Sequence, residues 1–350
     1  MRLFSTIFVV CVVALSACSE HDEPLLPSTA DDISLRAIVD EVKTTTRNAE
    51  DGAYTGQVPS ANNNLETAVW FTLMPGSYPT TCPDSWSNEM KALSAETNIP
   101  AHSTINFQSG TATFPDSESE STKLKYPTSG AEVYCVGLYP QTGWSVSNTD
   151  NFITASHTLD GNKDLMFAPE IVGSWNSHFL TQRYRHILTW LKILVCTTTP
   201  EAADYWGKLK KITINDIPKT VHVNLQEQEN NAFSLQDAVT YSNDKQPITI
   251  LNNDEGIGMG ITTQDVASVF CHPSKTYSLN IECANASTKD LDIELKALSG
   301  VDDKLLNYPA GLQYILTLYF HPYNVVEGVC TLNAWDAQNE DLYPQAPVSQ

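Results

Sequence analysis

Apolar and polar residues alternate with period two along most of this chain. Ile33, Leu35, Ala37 and Val39 alternate with Ser34, Arg36 and Ile38, an imperfect strand. Further strands are predicted at 67–74, 103–107, 111–114, 132–138, 165–168 and 186–195. A second set is predicted at 210–215, 220–225, 247–251, 276–284, 291–295, 313–320 and 328–334. Turn residues separate them: Pro75-Gly76, Ser129-Gly130, Asp160-Gly161, 252–256 and Ser299-Gly300. Only 91–97 and 202–208 read as short helices. Many short strands with few helical stretches predict an all-β chain of β-sandwiches. Gly173, Asn176 and Ser177 interrupt the pattern, so the junction between two domains is placed in 170–182, giving 31–174 and 175–344.

The first residues follow another logic. Arg2 precedes the apolar stretch 7–14, which is too short to span a bilayer. Leu15-Ser16-Ala17-Cys18 then has the form of a lipobox, in which small residues precede a cysteine that becomes lipidated. An ordinary secretory signal would need no cysteine there. Residues 1–17 are therefore expected to be removed, leaving Cys18 acylated at its thiol and amine. Acyl chains bury about 0.8 kcal/mol per CH₂, so a di- or triacylated cysteine is a lasting anchor in the outer membrane. Glu20, Asp22 and Glu23 follow within an acidic tether over 18–30. That run resembles a surface-export signal of Gram-negative lipoproteins; a plain solvated tether in a periplasmic protein would also be acidic.

Composition removes some classes. A 41% hydrophobic content gives the 350 residues enough apolar material for real cores. The net charge of −21 opposes any phosphate backbone, so nucleic acid is a poor partner. Of eight cysteines, Cys11 leaves with the signal and Cys18 is lipidated. Cys82, Cys135, Cys196, Cys271, Cys283 and Cys330 remain, and the compartment permits disulfides. Cys135, Cys196 and Cys330 lie in apolar strand-like runs, which favours buried free thiols.

Catalytic and metal signatures are missing. The sequence contains no CxxC, HExxH, GxSxG, Walker A or GxGxxG. Gly256-Ile257-Gly258-Met259-Gly260 reads as a bend between strands. His186 and His222 sit singly in strand patterns and read as half-buried strand residues. No pair among the 41 acids stands out for glycoside hydrolysis. The chain reads as a non-enzyme with no cofactor and no metal. Seven tryptophans are expected mainly in the core, although exposed ones could stack on sugars.

Several segments resemble, in order, the fimbrillin-like (FimA/Mfa-like) lipoproteins, subunits of type V pili. Residues 33–39 followed by Thr44-Thr45-Thr46-Arg47-Asn48-Ala49 look like that family's first strand and basic cleavage point. Tyr126-Pro127 with Gly130 precedes 133–139 and Pro140, like the approach to its "YYP" strand. Asp164-Leu165-Met166-Phe167-Ala168 is similar to "DLMYA", and His186-Ile187-Leu188 with Leu191 and Ile193 to "HxLxxLxI". Ala310-Gly311, Tyr314, Leu316, Leu318 and Trp335 complete the series.

The resemblance implies two tandem transthyretin-like β-sandwiches and assembly by strand addition. It implies cleavage after Arg47, which removes 31–47 and opens a groove that a strand of another pilus subunit fills. Ile33, Leu35, Ala37 and Val39 are then expected to face the core of the first sandwich. Burial of each large side chain is worth about 1.5–3 kcal/mol, which holds the strand until it is cut. Arg36, within the strand pattern, should be shielded. The tail 336–350 has three acids, two prolines and almost no strand pattern, so it makes a poor donor strand. A tip, anchor or accessory role therefore fits better than a stalk, with a host or bacterial surface ligand as a further partner. The alternative is a surface glycan-binding lipoprotein that does not polymerise.

Overall fold

A computed structural model describes residues 33, 35–39, 64–72, 102–106, 111–113, 125–127, 129–149, 152–230, 233–295, 310–323 and 325–333. Cys18, Arg47, the tether, the expected helix at 91–97, Cys82 and Trp335 lie outside the described residues.

The chain is all-β, arranged in several sheets without a barrel among the described residues. The first strands are β1 (Ala37–Val39), β2 (Asn64–Thr72), β3 (His102–Asn106), β4 (Thr111–Thr113) and β5 (Val133–Tyr139). Next come β6 (Trp144–Thr149), β7 (Phe152–Thr158), β8 (Met166–Gly173), β9 (Gln182–His186) and β10 (Thr189–Thr197). Helix α1 (Pro200–Trp206) leads to β11 (Leu209–Pro218) and β12 (Thr220–Asn224), and α2 (Leu235–Ala238) to β13 (Val239–Tyr241). The remainder is β14 (Lys245–Ile257), β15 (Gln264–Cys271), β16 (Thr276–Cys283), β17 (Ser287–Glu294), β18 (Gln313–His321) and β19 (Val325–Asn333).

A seven-stranded sheet has the order β1-β9-β8-β5-β2-β3-β4. It faces a four-stranded sheet, β13-β12-β7-β6, across one core. Trp70, Leu138 and Phe167 of the first sheet meet Trp144, Ile153, Val221 and Val223 of the second there. A second core lies between β15-β10-β18-β19 and β14-β11-β16-β17. Its strands show the alternation expected of sheets with one wet face. Tyr277, Leu279, Ile281 and Cys283 of β16 point inward while their neighbours are more exposed.

The hydrogen bonding does not divide at one point in the chain. Residues 174–175 fall in the connection between β8 and β9, which are neighbours in one sheet. Strands β12 and β13 pair with each other, and β12 pairs with β7. The chain thus leaves the second pair of sheets after Pro218 and re-enters it at Lys245. Strands β10 and β15 touch both cores. Trp190 and Phe270, opposite each other in register, stack 5.9 Å apart in the first core. Their neighbours Leu191 and Val269 belong to the second.

Two expectations need correction. The run 186–195 is two strands, because β9 ends at His186 beside β8 and the chain then crosses to another sheet, where β10 pairs with β15 and β18. Residues 252–256 are not a turn between strands; β14 runs through them with a bulge. Gly256 takes φ 72° there, and its amide donates to Asn253 Oδ1 at 3.0 Å.

Candidate functional site

Strand β1 is short and sits at the edge of the seven-stranded sheet. It pairs in parallel with β9 at three positions, Ala37 with Gln182, Ile38 with Arg183 and Val39 with Tyr184. The Gln182 amide also donates to Arg36 O at 2.7 Å. Arg36 itself is half-buried.

Ahead of the strand, Ile33 and Leu35 are 7% and 1% exposed, and Ala37 is wholly buried. Ile33 and Leu35 are seated in a cluster with Val69, Phe71, Tyr126, Val133, Cys135, Ile171 and Phe179. These residues alternate along β2 and β5 with Trp70, Val136 and Leu138, which fill the first core. Successive side chains of a strand point to opposite faces. Ile33 and Leu35 are therefore buried on the face of the seven-stranded sheet turned away from the first core, and the side chain of Val39 lies outside the described residues.

The cradle beneath them is built from packed aromatic rings and a buried hydrogen bond. Phe179 N donates to Tyr126 Oη at 2.9 Å. Phe179 packs against Phe71 and Tyr126 with ring centres 5.9 and 5.6 Å apart. Burial pushes the Tyr126 phenol well above its ordinary range, so it stays neutral. Burial likewise pushes the Cys135 thiol up, and Gln182 Nε2 lies 3.5 Å from its sulfur. That thiol is a packing group, not a nucleophile. A Cβ at Gly137 would lie 2.2 Å from Tyr184 Oη, so the Tyr184 side chain reaches across β8 to β5 only over a glycine.

Val172, Trp175 and Leu180 adjoin the cradle in sequence and are exposed. A cleft of ≈180 Å³ opens between β8 and β9 there, lined by Val172, Leu180, Arg183 and Glu229 among others. Beside it, segment 227–229 lies along β8: Glu170 N donates to Glu227 O, and Glu229 N donates to Glu170 O, both at 2.8 Å. Arg185 fixes that segment through Glu229, with contacts of 2.6 and 2.9 Å, and its guanidinium lies 4.6 Å from the Phe233 ring centre. The sequence pattern identified Ile33 and Leu35 but not the exposed Val172 and Leu180. Apolar residues flanking a turn carry no periodic signal.

Other singled-out residues are structural. His186 Nδ1 lies 2.7 Å from Asp164 Oδ2 in a buried pair, so the "DLMYA"-like and "HxL"-like segments meet at one point. His222 Nδ1 lies 2.7 Å from Ser156 Oγ across β12 and β7. Five cysteines, Cys135, Cys196, Cys271, Cys283 and Cys330, are free and buried. Trp70, Trp144, Trp190 and Trp206 are in the cores. Trp175 is partly exposed.

No family model matches the chain, and no curated protein matches it. Solved structures do. A proposed cell adhesion protein from Bacteroides uniformis aligns with TM-score 0.50 and 14% identity, over 89% of this chain and 100% of its own. The fold is shared with that protein. A second proposed cell adhesion protein, from Bacteroides ovatus, gives 0.47 and 15% over 88% and 99%. A proposed adhesin from Bacteroides thetaiotaomicron gives 0.47 and 10% over 88% and 98%.

Proposed function

We propose that this chain is a non-enzymatic surface adhesin of the fimbrillin-like kind. It is anchored to the outer membrane through acylated Cys18, and its first strand can be exchanged after cleavage at Arg47. The carrying observation is the seating of that strand: a short parallel edge strand whose leading residues, Ile33 and Leu35, fill an apolar cradle. Parallel pairing is slightly weaker per residue than antiparallel pairing. Ordering the 33–39 backbone offsets much of the gain from burying two large side chains. Such a strand is held by a small net margin, and removing it would uncover Val69, Phe71, Ile171 and Phe179. A strand from another subunit regains that burial together with main-chain hydrogen bonds.

The poor donor character of 336–350 favours a tip, anchor or accessory position. The transthyretin-like topology of two tandem sandwiches belongs to this same reading. Labelling cells with radioactive palmitate tests the anchor: label should enter the wild-type chain and be lost in Cys18→Ala. Label retained by Cys18→Ala, or a chain that whole-cell protease treatment never reaches, would refute surface anchoring.

A further inference from the structure

Seven large apolar or aromatic side chains are exposed among the described residues. Three, Val172, Trp175 and Leu180, lie at the end of β8 and in its connection to β9. The other four, Tyr205, Ile261, Tyr323 and Val325, gather at one pole of the second pair of sheets. Strand register places them there. Thr197 pairs with Phe320, and His321 with Val325, at the end of β10 and β18 remote from Trp190 and the first core. Thr197 N donates to Gly260 O at 2.8 Å, which brings Ile261 to the same end.

Tyr323 is the unusual member. It lies in the turn between β18 and β19 at φ 64°, a left-handed conformation that favours glycine or asparagine. Its side chain is 85% exposed, so little packing compensates that backbone. Its ring does have one partner: Tyr205, with centres 6.2 Å apart and planes tilted by 54°. Tyr205 is braced in turn by the buried Trp206, edge to face at 5.7 Å. Trp206 Nε1 donates to His321 O at 2.7 Å, which fixes helix α1 to the base of the turn. A solvent-facing tyrosine pair is thus mounted on a rigid base, at a backbone cost a turn glycine would avoid. His321 Nε2 and Glu327 Oε2, 3.5 Å apart and both part-exposed, supply polar groups next to the rings.

We propose that Tyr205 and Tyr323 form a stacking platform for a neutral glycan. Aromatic faces take up the apolar faces of pyranose rings, and Tyr323, braced against Tyr205, presents such a face to solvent. The His321–Glu327 pair can serve hydroxyl groups. The net charge of −21 opposes nucleic acid and acidic polysaccharides, so the glycan is an uncharged one. This inference does not depend on strand exchange.

The test is calorimetric titration of the purified full chain with cellohexaose, laminarihexaose and mannohexaose, with heparin as the anionic comparison. At least one neutral hexaose should saturate the protein, and heparin should not bind. Tyr205→Ala and Tyr323→Gly should each weaken binding by about tenfold or more. Tyr323→Gly should leave the melting temperature unchanged or raised, because it removes the left-handed tyrosine and no buried contact. That separates a binding role from a folding one. Silence of all three neutral probes, binding that survives Tyr323→Gly, or heparin competing with the hexaose would overturn the proposal.

Discussion

Leu35→Ala probes the seating of the first strand directly. Leu35 is 1% exposed and enclosed by Phe71, Cys135, Phe179 and their neighbours. Its truncation removes the transfer energy of the deleted carbons and leaves a cavity, together about 2–3 kcal/mol for a site that can partly relax. Among the described residues, three residue pairs and the Gln182–Arg36 hydrogen bond join β1 to β9. The loss should therefore appear as local detachment of the strand before global unfolding. The Gln182 amide reports on this, because Arg36 O protects it. Native-state hydrogen exchange at Gln182 should accelerate by about 30–150-fold, the equivalent of 2–3 kcal/mol. Amides in the middle of β10 and β18 should keep their wild-type rates. An unchanged Gln182 rate, or equal acceleration throughout both cores, would show that the strand is not a separable element and would refute the reasoning.

Other outcomes follow from the same contacts. Gly137→Ala should lower stability by about 1–3 kcal/mol in urea unfolding, because its Cβ would lie 2.2 Å from Tyr184 Oη and β9 must shift. Asp164→Ala should cost about 1–3 kcal/mol by the same measurement, since it strips a buried His186 of its carboxylate partner. Burial first, and the Lys245 charge second, hold His272 down at about 4 from its ordinary 6.5. The unfolded chain then takes up a proton that the folded chain refuses between those values. The contribution of His272 to stability is complete above pH 6.5 and declines as pH falls towards 4. The fall in melting temperature over that window should be smaller in His272→Gln than in wild type, as read by calorimetry.

The strand content was legible because most strands of the second pair of sheets have one wet face, as in β16 and β18. The alternation of Ile33, Leu35 and Ala37 was legible for the same reason. The face on which they are buried was not. Residues 68–71 of β2 are buried on both sides, so the pattern there reads as a continuous apolar run and names no inner face. Strands β6 and β7 escaped notice because Ser145, Ser147, Ser156 and Thr158 dilute their alternation, although Trp144, Val146, Ile153 and Ala155 point inward. The junction between the cores was illegible because β10 and β15 run through it without a break. Tyr205 and Tyr323 lie 118 positions apart in the numbering, and only the pairing of β10 with β18 brings them together.

The central claim is that the first strand is a replaceable part of the sheet, released at Arg47. Limited digestion of the folded chain with an arginine-specific protease, followed by N-terminal sequencing and size analysis over a range of concentrations, tests it most directly. The account predicts a new N-terminus at Asn48, loss of 31–47 from the particle, and oligomers that grow with concentration. Resistance at Arg47, or cleavage that leaves a monomer at every concentration, would contradict it.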